Sequence, residues 1–331
     1  MKTKIVYVLC SSEEDIYLEQ LLLSLYSLRI HNASAFVELV VDKRTDATLK
    51  GKREFVLGYI DKKIVLDVPD EYNKVERSRW MKTSLRKYVA GDYLFLDTDT
   101  IIADRLDEVD DFIGDIGAVL NCHIPIGQHA AKKKMEKWSK RDGWTFTDDL
   151  MYYNSGVMFV KDNQVAADFY DVWHERWKTG VKKYRHMADQ TYLAAANEEK
   201  GYVISEMDGT WNCQLVKNGL RYYYGAKILH YLDWGLFSKT KPWIFYDESI
   251  FGEIKSEGRL TEKAAMAVKA AKQSFPSQIQ IVSGRDLGIV QSPTFSFLTN
   301  NQWLMRLLNP ITFVLIGIPK VYKRLNTRIK N

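Results

Sequence analysis

The chain is poor in cysteine. It has three in 331 residues, Cys10, Cys122 and Cys213, far apart and without C-x-x-C spacing. Neither a zinc site nor a disulfide framework is indicated, and a reducing compartment is the simplest inference. Long apolar runs are missing too. The longest, Ile311 to Ile318, follows Asn309-Pro310 and is closed by Pro319, far short of the roughly 20 residues a membrane-spanning helix needs. The start, Met1-Lys2-Thr3-Lys4 and then a short strand-like run into Ser11-Ser12-Glu13-Glu14-Asp15, does not have the build of a signal peptide, and no anchor is expected there. No internal repeat or low-complexity tract occurs. Acid is absent after Asp286, whereas Arg306, Lys320, Lys323, Arg324, Arg328 and Lys330 follow it. The rest of the chain holds 41 basic against 42 acidic residues, so the formal charge of +5 belongs to an appendage. No nucleic-acid partner is expected for the main body.

What is present reads as globular: 46% hydrophobic and 27% charged residues, long enough for one large domain or two ordinary ones. From Lys4 to about Leu120 short apolar runs alternate with amphipathic segments, the pattern of βα units. Strands are expected at Ile5 to Leu9, Phe36 to Val41, Lys63 to Val68, Tyr93 to Leu96 and Ile116 to Leu120. Helical spacing marks Asp15 to Arg29 and Val75 to Val89. After Leu120 the regularity breaks at the Lys-rich Lys132 to Lys140 and the aromatic Trp144 to Tyr153, as a lid or substrate-side loop would. A strand-like Ser155 to Val160, helices near Asn163 to Lys178 and Asp189 to Glu199, and a strand-like Lys227 to Leu232 follow. Beyond Trp243 the pattern is mainly helical.

The most informative stretch is Tyr93-Leu94-Phe95-Leu96-Asp97-Thr98-Asp99-Thr100. An apolar strand, buried on both faces as in a mostly parallel sheet, runs into two carboxylates at i and i+2. Ligand crevices of open α/β sheets lie at that carboxyl end. Two close carboxylates repel each other unless something positive sits between them. Hard oxygen ligands suit Mg²⁺ or Mn²⁺, ions that hold phosphate or pyrophosphate. The same residues also fit the aspartyl phosphatase signature D-x-D-x-T, with Asp97 as nucleophile. In that fold the signature follows the first strand, whereas here at least three expected strands precede it.

Later motifs weigh on the choice. Asn154-Ser155-Gly156 opens an apolar strand, Asp189-Gln190 starts a helix, and Ile228-Leu229-His230 is followed by Lys241-Pro242-Trp243. In this order the chain, from about Lys4 to Trp243, resembles the metal-dependent retaining glycosyltransferases of the glycogenin and bacterial lipopolysaccharide galactosyltransferase family (glycosyltransferase family 8-like). That resemblance implies an α/β GT-A fold, Rossmann-like and nucleotide-binding with a mostly parallel mixed sheet, over residues 1–250. A mainly helical C-terminal extension over 251–331 would follow.

The resemblance further implies Asp97, Asp99 and His230 as ligands of Mn²⁺, with Mg²⁺ as the alternative ion, and a UDP-sugar as donor. Imidazole beside two carboxylates favours Mn²⁺. Val8, Leu9, Cys10 and Ser11 would cradle the uridine. Thr98 would accompany the acids at the donor, and Lys241 would meet the diphosphate as a point charge. Lys82 stands where the family commonly carries Arg, which leaves open whether Lys82, Arg79 or Arg77 touches the donor. A second departure is the stretch from His230 to Lys241, longer than the family's short turn. Asn154, Asp189 and Gln190 would face the transferred hexose, with Gln190 near the reacting carbon.

Phe295 to Asn331 combine aromatic and aliphatic residues with the basic finish. This describes an interfacial segment attracted to anionic lipid, or a helix packed on a partner. The expected protein is a peripheral enzyme on the cytoplasmic face of a membrane, moving a hexose to a lipopolysaccharide or other glycan or glycolipid acceptor. A Mg²⁺-dependent phosphatase and a non-catalytic, membrane-associated nucleotide-sugar-binding protein are the alternatives.

Overall fold

A computed structural model describes residues 1–129, 131–215, 218–231, 248–272, 288–301, 303–304, 307–308 and 310–311. Two compact units divide the chain, Met1–Ile279 and Gln280–Asn331. No helix among the described residues is long and apolar enough to cross a membrane.

The first unit is built on strand β1 (Lys4–Leu9), whose residues from Ile5 onward are all buried. Ile5, Tyr7 and Leu9 pack with Leu21, Leu25 and Leu28 of helix α1 (Tyr17–His31). Val6 and Val8 turn the other way, to the cluster of Met81 from α3 (Lys74–Thr83) and Trp173 from α5 (Gln164–Tyr184). Helices thus cover both faces, which is why this strand is apolar throughout instead of alternating. Beside β1 lie β2 (Val37–Asp42), β3 (Lys62–Leu66) and β4 (Tyr93–Leu96), all parallel. Next come β7 (Tyr153–Val160), antiparallel to both its neighbours, then β6 (Ile116–Leu120) and β8 (Ile204–Glu206). The order of this seven-stranded sheet is β3-β2-β1-β4-β7-β6-β8. A second sheet of three strands joins β5 (Thr100–Ile102), β10 (Ile228–His230) and β9 (Cys213–Gln214) in the order β5-β10-β9.

The expected strands form within a residue or two of their expected bounds. Helix α3 starts on a capping box between Asn73 and Glu76 and ends at Thr83, short of the expected Val89. The Ser84 hydroxyl donates back to the Trp80 carbonyl at 2.8 Å, a bond that competes with continued helix. Where an irregular Lys-rich loop was expected, a regular helix α4 (Lys132–Asp142) forms and stops on Gly143 at φ +75°. Its Met135 packs with Ile126, Trp144 and Tyr152, an apolar anchor that the lysine run conceals.

Helix α6 (Asp189–Glu199), between β7 and β8 in the chain, and helices α7 (Glu248–Glu257) and α8 (Glu262–Lys269), after β10, belong to the same unit. Ile250 and Ile254 of α7 and Ala264, Ala267 and Val268 of α8 share a cluster with Leu22 and Leu23 of α1. In the second unit the described residues include the helix Pro293–Asn300.

Candidate active site

Strand β4 delivers the two acids. The register pairs Leu96 with Tyr7 on one side and with Val157 on the other. At the next residue the Asp97 N–H donates to the Gly156 carbonyl at 2.8 Å. The Thr100 hydroxyl donates to the Asp97 carbonyl at 2.8 Å and joins Ser24 at 3.0 Å, which in turn meets the Tyr7 hydroxyl at 2.8 Å. Both ends of the Asp97-Thr98-Asp99 turn are therefore fixed to buried neighbours. The second sheet then supplies the third member, because β10 pairs antiparallel with β5 so that His230 lies opposite Thr100. Ligand atoms of Asp97, Asp99 and His230 all lie within 4.8 Å of one another. His230 Nε2 is 3.1 Å from Asp99 Oδ1.

Basic groups flank this cluster. Lys82, only 3% exposed, places Nζ 3.1 Å from Asp97 Oδ1 and 3.2 Å from Asp189 Oδ2. Arg79 Nε lies 3.3 Å from Asp189 Oδ1, and the Ser155 hydroxyl donates to Asp189 Oδ2 at 2.7 Å. Burial works to raise the Asp189 carboxyl, but Arg79, Lys82 and Ser155 hold it well below the usual carboxylate range. Asp97 moves the other way: burial pushes it up and Asp99 adds to the push, against Lys82 and Arg79. For Asp99 burial again acts upward, yet His230, when its imidazole is protonated, outweighs burial and holds this carboxyl below its ordinary value. The two acids thus lack enough positive charge to ionise equally.

A divalent cation fits that deficit. Two carboxylates and an imidazole are the donor set of a borderline ion such as Mn²⁺. The space is preserved by Gly156, since a Cβ there would lie 2.3 Å from His230 Cε1 and 2.8 Å from Asp97 Oδ2. Gly156→Ala is therefore expected to displace two donors at once, at a cost of about 1–3 kcal/mol from overpacking. Mn²⁺ titration and thermal unfolding of the variant check this, and wild-type values in both would contradict it.

Other expected residues take the following places. Asn154 is buried, accepting at Oδ1 from the Gly156 N–H and from Asn212 Nδ2, both at 2.9 Å. Gln190 Nε2 donates to the Tyr153 carbonyl at 3.2 Å, so it sits over the same strand. Val8, Leu9, Cys10 and Ser11 are buried at the end of β1. Cys10 is a thiol, pushed up to about 11 by burial and by the Asp42 carboxylate. Arg77 is drawn away to Asp42 at 2.6 Å, leaving Lys82 and Arg79 as the cations beside the acids among the described residues. Lys241 lies outside the described residues.

No family model matches the chain, and no curated protein is similar to it in sequence. Solved structures match it in fold. An active-site mutant of LgtC superposes with a TM-score of 0.50 at 15% identity, over 79% of this chain and 98% of that one. The chain has the GT-A fold. Mouse xyloside xylosyltransferase 1 reaches a TM-score of 0.47 at 15% identity, over 70% of this chain and 98% of its own. The glycosyltransferase GlyE of Streptococcus pneumoniae TIGR4 reaches 0.47 at 16% identity, over 85% and 66%.

Within this GT-A unit, sequence reading missed Asn212, which receives His230 Nδ1 at 2.8 Å. It missed equally the turn after β6, where Cys122 and His123 both take positive φ, at 59° and 57°. That turn is held by Gln214, Asn218 and Arg221, which bond its backbone at 2.8, 3.0 and 2.5 Å. No residue pattern advertises either feature. Asn212 closes a short 3-10 turn, Gly209–Asn212, that leads straight into β9, and left-handed backbone like that at Cys122 and His123 persists only where surroundings impose it.

Proposed function

We propose that this chain is a metal-dependent retaining glycosyltransferase that moves a hexose from a UDP-sugar to a glycan acceptor, of lipopolysaccharide or another surface polysaccharide. The observation that carries the reading is the convergence of Asp97 and Asp99, just after β4 of the main sheet, with His230 on β10 of the second sheet, in a chain of GT-A fold. A bound Mn²⁺ would act there as a Lewis acid, neutralising the leaving diphosphate as the glycosidic bond breaks. The chain's own groups do the rest. Lys82 and Arg79 place positive charge beside the acids and keep Asp189 ionised as an acceptor for sugar hydroxyls. Gln190, anchored on Tyr153, would flank the reacting carbon. With Asp189 locked into ion pairs, no isolated carboxylate among the described residues is poised to attack, which supports front-face retention in which the leaving phosphate helps deprotonate the acceptor. Val8 to Ser11 line the uridine end through backbone groups.

UDP is expected to raise the melting temperature in Mn²⁺ but not in EDTA, and a UDP-sugar screen for Mn²⁺-dependent hydrolysis would identify the donor. Equal stabilisation by UDP in EDTA would overturn the reading.

The C-terminal segment would place the enzyme on the cytoplasmic face of a membrane. In support, Phe297, Trp303, Leu307 and Ile311 are all more than half exposed in a stretch free of acid. Co-sedimentation with anionic vesicles is expected, and to be lost on truncation at Pro293. Binding unchanged by that truncation would refute the assignment.

A further inference from the structure

A hydrogen-bond chain in this site begins at a group whose polarity is fixed. The Gly156 backbone N–H can only donate, and it meets Asn154 Oδ1 at 2.9 Å. That orients the Asn154 amide. The same oxygen lies 2.9 Å from Asn212, which must therefore present its Nδ2. With nitrogen turned that way, Asn212 shows Oδ1 to His230 Nδ1 at 2.8 Å. An amide oxygen only accepts, so the imidazole proton belongs on Nδ1. Asn212 is fully buried and Asn154 is 3% exposed, so bulk water does not compete for these bonds. His230 Nε2 is left facing Asp99 Oδ1 at 3.1 Å. Two lone pairs at that separation need a cation or a proton between them.

The fold makes this relay at an irregularity. On β6 the partner of Ala118 is Met158, but the partner of the next residue, Val119, is Asn154. The ladder thus skips Ser155, Gly156 and Val157, and a break of this kind re-aims side chains. It leaves the Gly156 N–H free of the β6 ladder and turned to Asn154 Oδ1. Asn212, just before β9, arrives from the second sheet, whose β10 carries His230.

We propose that Asn212 is a positioning residue, oriented through Asn154 by the Gly156 amide, which holds neutral His230 in its Nδ1–H form and so presents Nε2 as a metal ligand beside Asp97 and Asp99. The proposal rests on the metal-site reading above and extends it to a residue that touches neither metal nor sugar. Partners of this type orient a ligating imidazole and fix its tautomer. Asn154 accordingly acts on the site through Asn212.

The test combines two measurements on the full-length chain: Mn²⁺ titration without nucleotide, followed by electron paramagnetic resonance, and ¹⁵N spectra of histidine-labelled, metal-free protein at a pH where His230 is neutral. The wild type is expected to carry the His230 proton on Nδ1. Asn212→Leu, which keeps bulk but loses the amide, is expected to lose that preference and to bind Mn²⁺ about 10–100-fold more weakly. Asn212→Asp retains an acceptor for Nδ1–H, so it is expected to keep the tautomer and to bind Mn²⁺ more tightly than the Leu variant. A proton on Nε2 in the wild type would overturn the proposal. So would wild-type Mn²⁺ affinity in Asn212→Leu, or equal losses in the Leu and Asp variants, which would indicate packing alone. If the wild type binds no Mn²⁺, the metal reading fails, while the metal-free spectra still decide whether Asn212 sets the tautomer.

Discussion

Asp99→Asn is expected to lower sugar transfer, or UDP-sugar hydrolysis, by about 10³-fold or more, because a metal ion is worth several kcal/mol of charge stabilisation and each ~1.4 kcal/mol is tenfold in rate. The loss follows from geometry: Asp99 is the acid that meets His230 Nε2 at 3.1 Å. Removing its charge takes away one of the two carboxylates that need a cation between them. The same change removes a contribution that pushes Asp97 upward, so the metal-free protein gains some relief from repulsion. The variant is therefore expected to melt in EDTA at no less than about the wild-type temperature minus the effect of one lost hydrogen bond, ~1 kcal/mol. The Mn²⁺-dependent shift produced by UDP is expected to vanish. A variant that keeps this shift would show that Asp99 is no ligand; one that fails to fold in EDTA would show that the acid is structural.

Lys82→Met is expected to have the largest effect on stability. Lys82 is 3% exposed and its ammonium sits between Asp97 and Asp189, at 3.1 and 3.2 Å. Methionine would fill much of the same volume and leave two carboxylates without their shared partner. Breaking a buried ion pair on one side costs roughly 3–5 kcal/mol, and at about 2–4 °C per kcal/mol for a unit of this size the melting temperature falls by roughly 6–12 °C at the lower bound. The lower bound is appropriate because Asp97 is a quarter exposed and Asp189 keeps Arg79 and Ser155.

The pH dependence has a definite sign. Asp189 is held below its ordinary value in the folded protein, so its pairing stabilises above the unfolded pKa and is lost as pH falls through the folded one. Most of the deficit of Lys82→Met is thus expected at neutral pH, narrowing as pH falls below about 4, where free carboxylates protonate. Mn²⁺ is expected to rescue part of the loss by supplying Asp97 with another cation. Thermal unfolding across pH, with and without Mn²⁺, reads both effects, and a pH-independent deficit would indicate lost packing instead.

Much of this was legible from residue order because local patterns carried it. A strand buried on both faces reads as an unbroken apolar run, and Tyr93 to Leu96 announced both its own depth and the exposure of the acids after it. The α4 helix was hidden by its lysines, since its apolar contact rests on few residues, Met135 foremost. The strands of the second sheet span two or three residues each, too few to show a period, so only the apolar run into His230 marked one of them.

Sequence alone therefore determined the α/β class, the sheet strand that ends in Asp97 and Asp99, and the residue types that a metal and a sugar would need. Each depends on neighbours a few positions apart, where spacing is itself geometry. Tertiary structure decided how those residues combine. His230 and Asp99 are separated by 131 positions and meet because β10 pairs with β5. Lys82 bridges Asp97 and Asp189 because α3, packed against β1, β2 and α5, stands between the end of β4 and the start of α6. Asn212 reaches His230 from the end of a short turn before β9 that no pattern marks. Register, helix packing and loop closure are set by the burial of distant side chains, and a residue's own neighbours in sequence carry no record of them.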